Sequence, residues 1–333
     1  MILNIPRRLE RQSILSLLRD LDLSRNFEIV AVDFSTLRYS LPIAMLVVGS
    51  KLRDWTRYRD ELGYQTDFQG IDNKIAAHSY LMHLGFFDFL HMPLGNQVGY
   101  ARGSSRYLPI TRIARPNINV EDVGVEKWYA EIEVMARKLA GGLTASYDDS
   151  EELRAYTYSI REIIRNVFEH SGADECYICG QRWYDESVEI ALIDEGIGIC
   201  TTLREVSEIE NDGNALLMSV RPGVSRAGRN SCAANLYDNS GFGLFILTEL
   251  AASFGWFVLG SGGAQLVGNA GNREVQSSSF SGTYVGIRLH TSPRDFGSVL
   301  SEIIEAGEAE AKVAGSNSRA SGRTRMIGSL HDF

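Results

Sequence analysis

Glu162, Asn166 and His170 stand four residues apart in the segment Glu162-Ile-Ile-Arg-Asn-Val-Phe-Glu-His170, whose remaining pattern is largely apolar. On a helix, positions i, i+4 and i+8 lie along nearly one stripe, each step rising about 6 Å. A carboxylate, a carboxamide and an imidazole would then line one groove. A carboxamide oxygen is a hard ligand suited to magnesium, the ion a triphosphate needs beside its oxygens. Taken alone, Glu162 reads as a solvated helix carboxylate or a partner for Arg161 or Arg165.

Two glycine turns follow. Asp194-Glu-Gly196-Ile-Gly198 comes after the alternating run Val188–Asp194, and Gly241-Phe-Gly243-Leu244 opens the helical pattern Leu244–Leu250. Gly196 and Gly198 let the backbone turn without a side chain in the way of a base. Gly241 and Gly243 precede a helix whose free N–H groups and dipole can hold phosphate oxygens. A further element, Ser281-Gly282-Thr283, precedes the strand-like Tyr284–Leu289. There is no Gly-Lys-Ser/Thr loop of the Walker type.

These boxes, in this order from Glu162 to Thr283, resemble the GHKL ATP-binding superfamily of gyrase, ninety-kilodalton heat-shock chaperones, MutL and histidine kinases. The resemblance implies an α/β fold with a Bergerat-type sandwich domain and the cofactors ATP and Mg2+. It assigns magnesium to Asn166 and the general base to Glu162. Asp194 would accept the adenine amino hydrogens, supported by Thr283 through a bound water. His170 stands where anti-sigma-factor serine kinases also place a histidine, which points to that branch; its plain alternative is a helix-terminal histidine on the last carbonyls. Gly196, Gly198, Gly241, Gly243 and Leu244 complete the nucleotide set. A lid is expected within Thr201 to Ser240, with Arg226 or Arg229 reaching the γ-phosphate.

The elements needed to position this set are legible in outline. Helices are expected over Val125–Leu139 and Ser150–His170, the second with Ser150 as N-cap and acidic residues in its first turn. Strands are expected over Glu175–Tyr184, Val188–Asp194, Trp256–Leu259 and Tyr284–Leu289, with a helix over Gly243–Phe254 between. Residues 1 to 24 read as an amphipathic helix. A β-rich run over Phe27–Ser35, a helix from Pro42 and another over Asp72–Leu84 then resemble STAS domains, the fold of anti-sigma-factor antagonists, over roughly residues 25 to 90. Pro42 falls where that family's phosphoacceptor serine would stand, with Ser40 two positions away, so the implied role is a docking or dimer surface without the switch.

The expected organisation is therefore a STAS-like regulatory domain over 1–92, a connector over 93–124, a GHKL-type domain over 125–292, and a C-terminal helix (Phe296–Val313) with a flexible basic tail within 293–333. The 333 residues carry 33 Lys and Arg against 42 Asp and Glu, a net charge of -9, which argues against a general nucleic-acid binder. The longest apolar run, Leu41–Val48, is too short to span a membrane, and the N-terminus carries no signal-peptide pattern, so a cytoplasmic location is expected. Cys176 and Cys179 have no second pair at zinc spacing and read as buried free thiols on opposite strand faces. Functionally, the boxes imply an Mg-ATP-driven regulatory switch with slow hydrolysis. The alternatives are a serine protein kinase acting on a separate STAS-type or sigma-factor-related partner, or an ATP-binding scaffold without turnover. A homodimer stays open. His78 and His83 lack the surroundings of a histidine-kinase phosphoacceptor.

Overall fold

Strands that alternate with helices are the pattern of parallel pairing, because a crossover must carry the chain back to the same end of the sheet. The first 90 residues obey it. In the computed structural model, which describes residues 1–104, 106–118, 124–144, 148–205, 207–224, 240–290, 295–316, 318–322 and 325, β1 (Ile2–Asn4), β3 (Ile29–Asp33) and β5 (Gln65–Gln69) form a parallel sheet with β3 in the centre. Short β2 (Arg8–Leu9) and β4 (Tyr39–Ser40) make a second parallel pair. The crossovers are α1 (Arg11–Ser24) and α2 (Pro42–Glu61); α3 (Ala76–Leu84) and α4 (Phe86–Phe89) follow, α3 closing on Gly85 at φ 85°. The expected helix over residues 1 to 24 is corrected here: its first ten residues supply β1 and β2, runs too short to show a period of their own.

The rest of the chain builds a five-stranded antiparallel sheet in the order β6 (Tyr107–Ala114), β7 (Glu175–Arg182), β8 (Val188–Asp194), β10 (Asn272–Leu289), β9 (Gly255–Asn269). Two expectations are corrected by it. The presumed connector contains the edge strand β6, and β9 and β10 form a hairpin far longer than the two short strands foreseen. On one face lie α5 (Val125–Thr144), α6 (Glu151–Asn166), α9 (Gly243–Phe254) and α10 (Phe296–Val313), sealing Ile178, Ile190, Leu192 and Ile287. Ser150 caps α6 as expected, its Oγ accepting the Leu153 N–H at 3.1 Å. Two short helices, α7 (Ile199–Arg204) and α8 (Asp212–Ser219), lie between β8 and α9, so part of the expected lid is helical. Arg226 and Arg229 lie outside the described residues.

The opposite face of this sheet is covered by α2. Tyr177, Cys179, Ala191 and Ile193 pack into one core with Ile43, Val47 and Leu46, and every α2 residue from Pro42 to Leu52 is buried. The approach is close: a Cβ on Gly286 would come within 2.9 Å of Ile43 Cγ1. Because α2 separates the two sheets, its apolar residues continue all round rather than in a stripe. Farther along α2, buried Arg59 donates to the carbonyls of Ser24, Phe27 and Gln65, tying the ends of α1 and α2 to the small sheet. Central β8 is likewise buried at all seven positions, Glu189 included, so both faces of the alternating run are covered.

Glu189 explains how α2 begins. Pro42 takes the first helical position, and the Ile43 N–H donates to Glu189 Oε1 at 3.3 Å, so a carboxylate from the larger sheet occupies the anion-favouring end of the helix. Burial pushes the Glu189 carboxyl up to about 7 against the pull of that amide, Arg288 and Arg11. Ser40 Oγ donates to the Leu41 carbonyl at 3.3 Å. Cys176 and Cys179 are buried free thiols in different cores, on opposite faces of β7. Among the described residues no helix is long and apolar enough to cross a membrane.

Candidate functional site

The C-terminal end of β8, the end of α6 and the start of α9 converge on one cleft on the helical side of the large sheet. Glu162, Asn166, His170, Asp194, Gly198, Gly241, Gly243, Leu244 and Thr283 all line it. They come from four segments far apart in sequence. Gly196 is not among the lining residues, but it is fixed by space: a Cβ there would collide with the Ser171 carbonyl, and its N–H donates to Asp194 Oδ1 at 2.9 Å.

The helix carrying the first three groups is not regular throughout. α6 ends at Asn166, and Val167–Ser171 form a π-helical turn that closes on Gly172 at φ 71°. A single wide turn of this kind is a recurrent device at functional sites, because it re-aims the side chains beyond it. His170 therefore departs from a strict i+8 stripe while still facing the cleft, its carbonyl accepting from Thr202 Oγ1 at 3.3 Å. Asn166 precedes the turn, and its Nδ2 is buried with no hydrogen-bond partner among the described residues. An amide N–H in that state is a donor open to an acceptor atom of a ligand.

Glu162 sits in a different setting from a solvated helix carboxylate. It is buried, with Arg161 donating to Oε1 through Nε at 2.9 Å and Nη2 at 2.8 Å, and Arg165 Nη1 at 3.4 Å. Burial alone would raise its carboxyl, but Arg165 and Arg161 outweigh that and hold it below the ordinary range. Its second oxygen abuts Gly243, where a Cβ would collide with it, so α6 and the α9 N-terminus meet through this carboxylate. Arg165 also pairs with Glu169 at 2.8 Å; burial pushes that second carboxyl up to about 7. The motif reading missed Arg165 and Glu169 as cleft residues, although the spacing Glu162, Arg165, Glu169 places all three on one helical face.

Asp194 closes the opposite end. It is 3% exposed and is the cross-strand partner of Thr283. Burial pushes its carboxyl up to about 7, opposed by the Gly196 amide and the hydroxyls of Ser171 and Thr283. The next residue, Glu195, accepts from Ser50 Oγ at 2.8 Å and pairs with Arg53 at 3.5 Å, both on α2. The layer on the far side of the sheet thus holds the turn that carries Asp194. No sequence signal marked Ser171 or Glu195.

No cluster of three or more His, Cys, Asp or Glu that could hold a metal occurs among the described residues. The Asn166 carboxamide is the side chain here that could share a magnesium ion with ligand oxygens, the arrangement this ion favours with phosphates. Another residue unforeseen at the cleft is Ser321, from a segment read as a flexible tail. No family model matches the chain, and neither a curated protein nor a solved structure shows significant similarity to it.

Proposed function

We propose that the chain binds Mg-ATP in this cleft and couples slow hydrolysis or transfer of the γ-phosphoryl group to control of a protein partner. In this reading the five-stranded sheet and its helices form a Bergerat-type ATP domain of the GHKL kind, and the N-terminal layer is STAS-like. One observation carries it: residues singled out by their motifs and by the resemblance, spread from Glu162 to Thr283, line a single cleft. A scattered set of coincidental motifs has no reason to converge.

Each residue then has a task. Asp194, ionised, accepts the adenine amino hydrogens, while Thr283 beside it contributes a second polar contact. The turn at Gly241 and Gly243 presents the first-turn N–H groups of α9 to phosphate oxygens. Asn166 offers its carboxamide oxygen to magnesium, which when bound neutralises neighbouring phosphate oxygens. Glu162 orients the attacking hydroxyl or water and takes its proton late. A carboxylate weakened by two arginines suffices, because phosphoryl transfer passes through a loose transition state that asks more for placement than for base strength. Arg165 and Arg161 keep that carboxylate ionised and in place.

Incubation with γ-labelled ATP and magnesium tests this, with Glu162→Gln beside the wild type. Glutamine keeps the volume between the two arginines, whereas alanine would strand both in the interior. The expected result is ATP binding by both proteins and turnover reduced roughly 100-fold or more in the variant. Absence of ATP binding by the wild type would sink the proposal; binding without phosphate release or transfer would reduce it to a scaffold.

A further inference from the structure

The chain does not leave the molecule after α10. It turns at Gly315 (φ 80°), the Ser316 N–H donates to the Ala311 carbonyl at 2.9 Å, and Ser316 Oγ bonds Ser318 Oγ at 2.9 Å. Ala320 is buried, its N–H donating to Glu308 Oε1 at 2.9 Å, and Arg325 pairs with the same carboxylate. Ser318 lies against Gly223, whose N–H donates to the Gly241 carbonyl at 3.0 Å. The segment is thus braced on the turn that opens α9, at the end of the cleft suited to phosphate.

A run of serine, glycine and arginine has little to gain from folding back. Among its described residues one small apolar side chain, Ala320, is buried, and ordering the segment costs chain entropy. What the arrangement does accomplish is to place the half-buried Ser321 in the lining of the same cleft as Glu162, Gly241 and Gly243. Arg319, two residues earlier, adds a positive charge to the same segment.

We infer that Ser321 is a phosphoryl acceptor in cis, an inference that rests on the ATP-binding reading of this cleft. Ser321 Oγ attacks the γ-phosphorus of ATP. The new Oγ–P bond forms as the bond from that phosphorus to the bridging oxygen breaks, and the electron pair leaves on the β-phosphate of ADP. The hydroxyl proton passes to the Glu162 carboxylate and then to water. A phosphoserine carries nearly two negative charges at neutral pH. Held where the next triphosphate must enter, it repels that nucleotide, so the modification limits itself to one event and shuts the cleft.

The full chain, Ser321→Ala and Ser321→Glu are incubated with γ-labelled ATP and magnesium over a wide dilution range. The label is mapped on the tryptic peptide Ala320–Arg323. ATP affinity of all three is measured separately with a fluorescent ATP analogue in the presence of a chelator. The expected result is label on that peptide at a rate independent of protein concentration, absent from Ser321→Ala, with affinity at least tenfold weaker in Ser321→Glu only. Nucleotide binding with no label at Ser321, or labelling that slows on dilution, overturns the inference and leaves the ATP reading standing. Failure of the wild type to bind nucleotide removes both.

Discussion

At the scale of single residues, Asp194 decides how the cleft responds to pH. Its carboxyl titrates at about 7 because burial penalises the charge, and the ionised form is the stronger acceptor for an adenine amino group. Nucleotide binding that selects this form should weaken by up to about tenfold per pH unit below 7 and level off above it. A titration of ATP affinity between pH 5.5 and 8.5 checks this; a flat profile would remove Asp194 from adenine recognition. Asp194→Asn should cost about 1.5–3 kcal/mol, the range for a hydrogen bond to a charged group, or roughly 10- to 100-fold in Kd. The spacing of Glu162, Asn166 and Asp194 was legible in the chain. So was an arginine partner for Glu162; that Arg161 and Arg165 both turn inward on the same buried carboxylate is shown only by the fold.

At the scale of elements, α2 joins two sheets that are distant in sequence. Ile43 fits where Gly286 lacks a side chain, so Gly286→Val should overpack this contact and cost about 1–3 kcal/mol. Calorimetry should show a lowered Tm, and an unchanged Tm would mean that α2 can slide to make room. The apolar run Leu41–Val48 hinted at two-sided burial, since it leaves no polar face. Strand β6 left no such hint among its Pro and Gly neighbours. The hairpin β9–β10 was read too short because its middle is rich in Gly and Ser, which have weak strand preference; the partner strand supplies the order there. The π-helical turn was also invisible, since the sequence Val-Phe-Glu-His-Ser does not distinguish it from a further α-turn.

Across the whole molecule, three buried carboxyls, Asp194, Glu169 and Glu189, each titrate at about 7 when folded. Unfolded, they release their protons near 4. Between these limits the unfolded chain holds fewer protons than the native one, so stability falls as pH rises. The nucleotide-free protein should therefore melt at a higher temperature at pH 5.5 than at pH 8, as differential scanning calorimetry would record. The opposite order would mean that these groups are better solvated than their burial implies. Glu162 does not disturb this trend, because its depressed pKa acts only below the ordinary carboxylate range. The covering of the large sheet on both faces also bears on separability. A fragment lacking the first 90 residues would present Tyr177, Ile193 and Val258 to water, a patch that promotes association.

Strand β8 carries Glu189 toward the start of α2 and Asp194 toward the cleft, five residues apart and so on opposite faces. Every residue of it is buried, and its backbone is bonded to β7 on one side and β10 on the other, so these neighbours must part before its amides can meet deuterium. Its protons should be the last in the molecule to exchange, and they should leave together, in the single rare opening that wets both carboxyls at once.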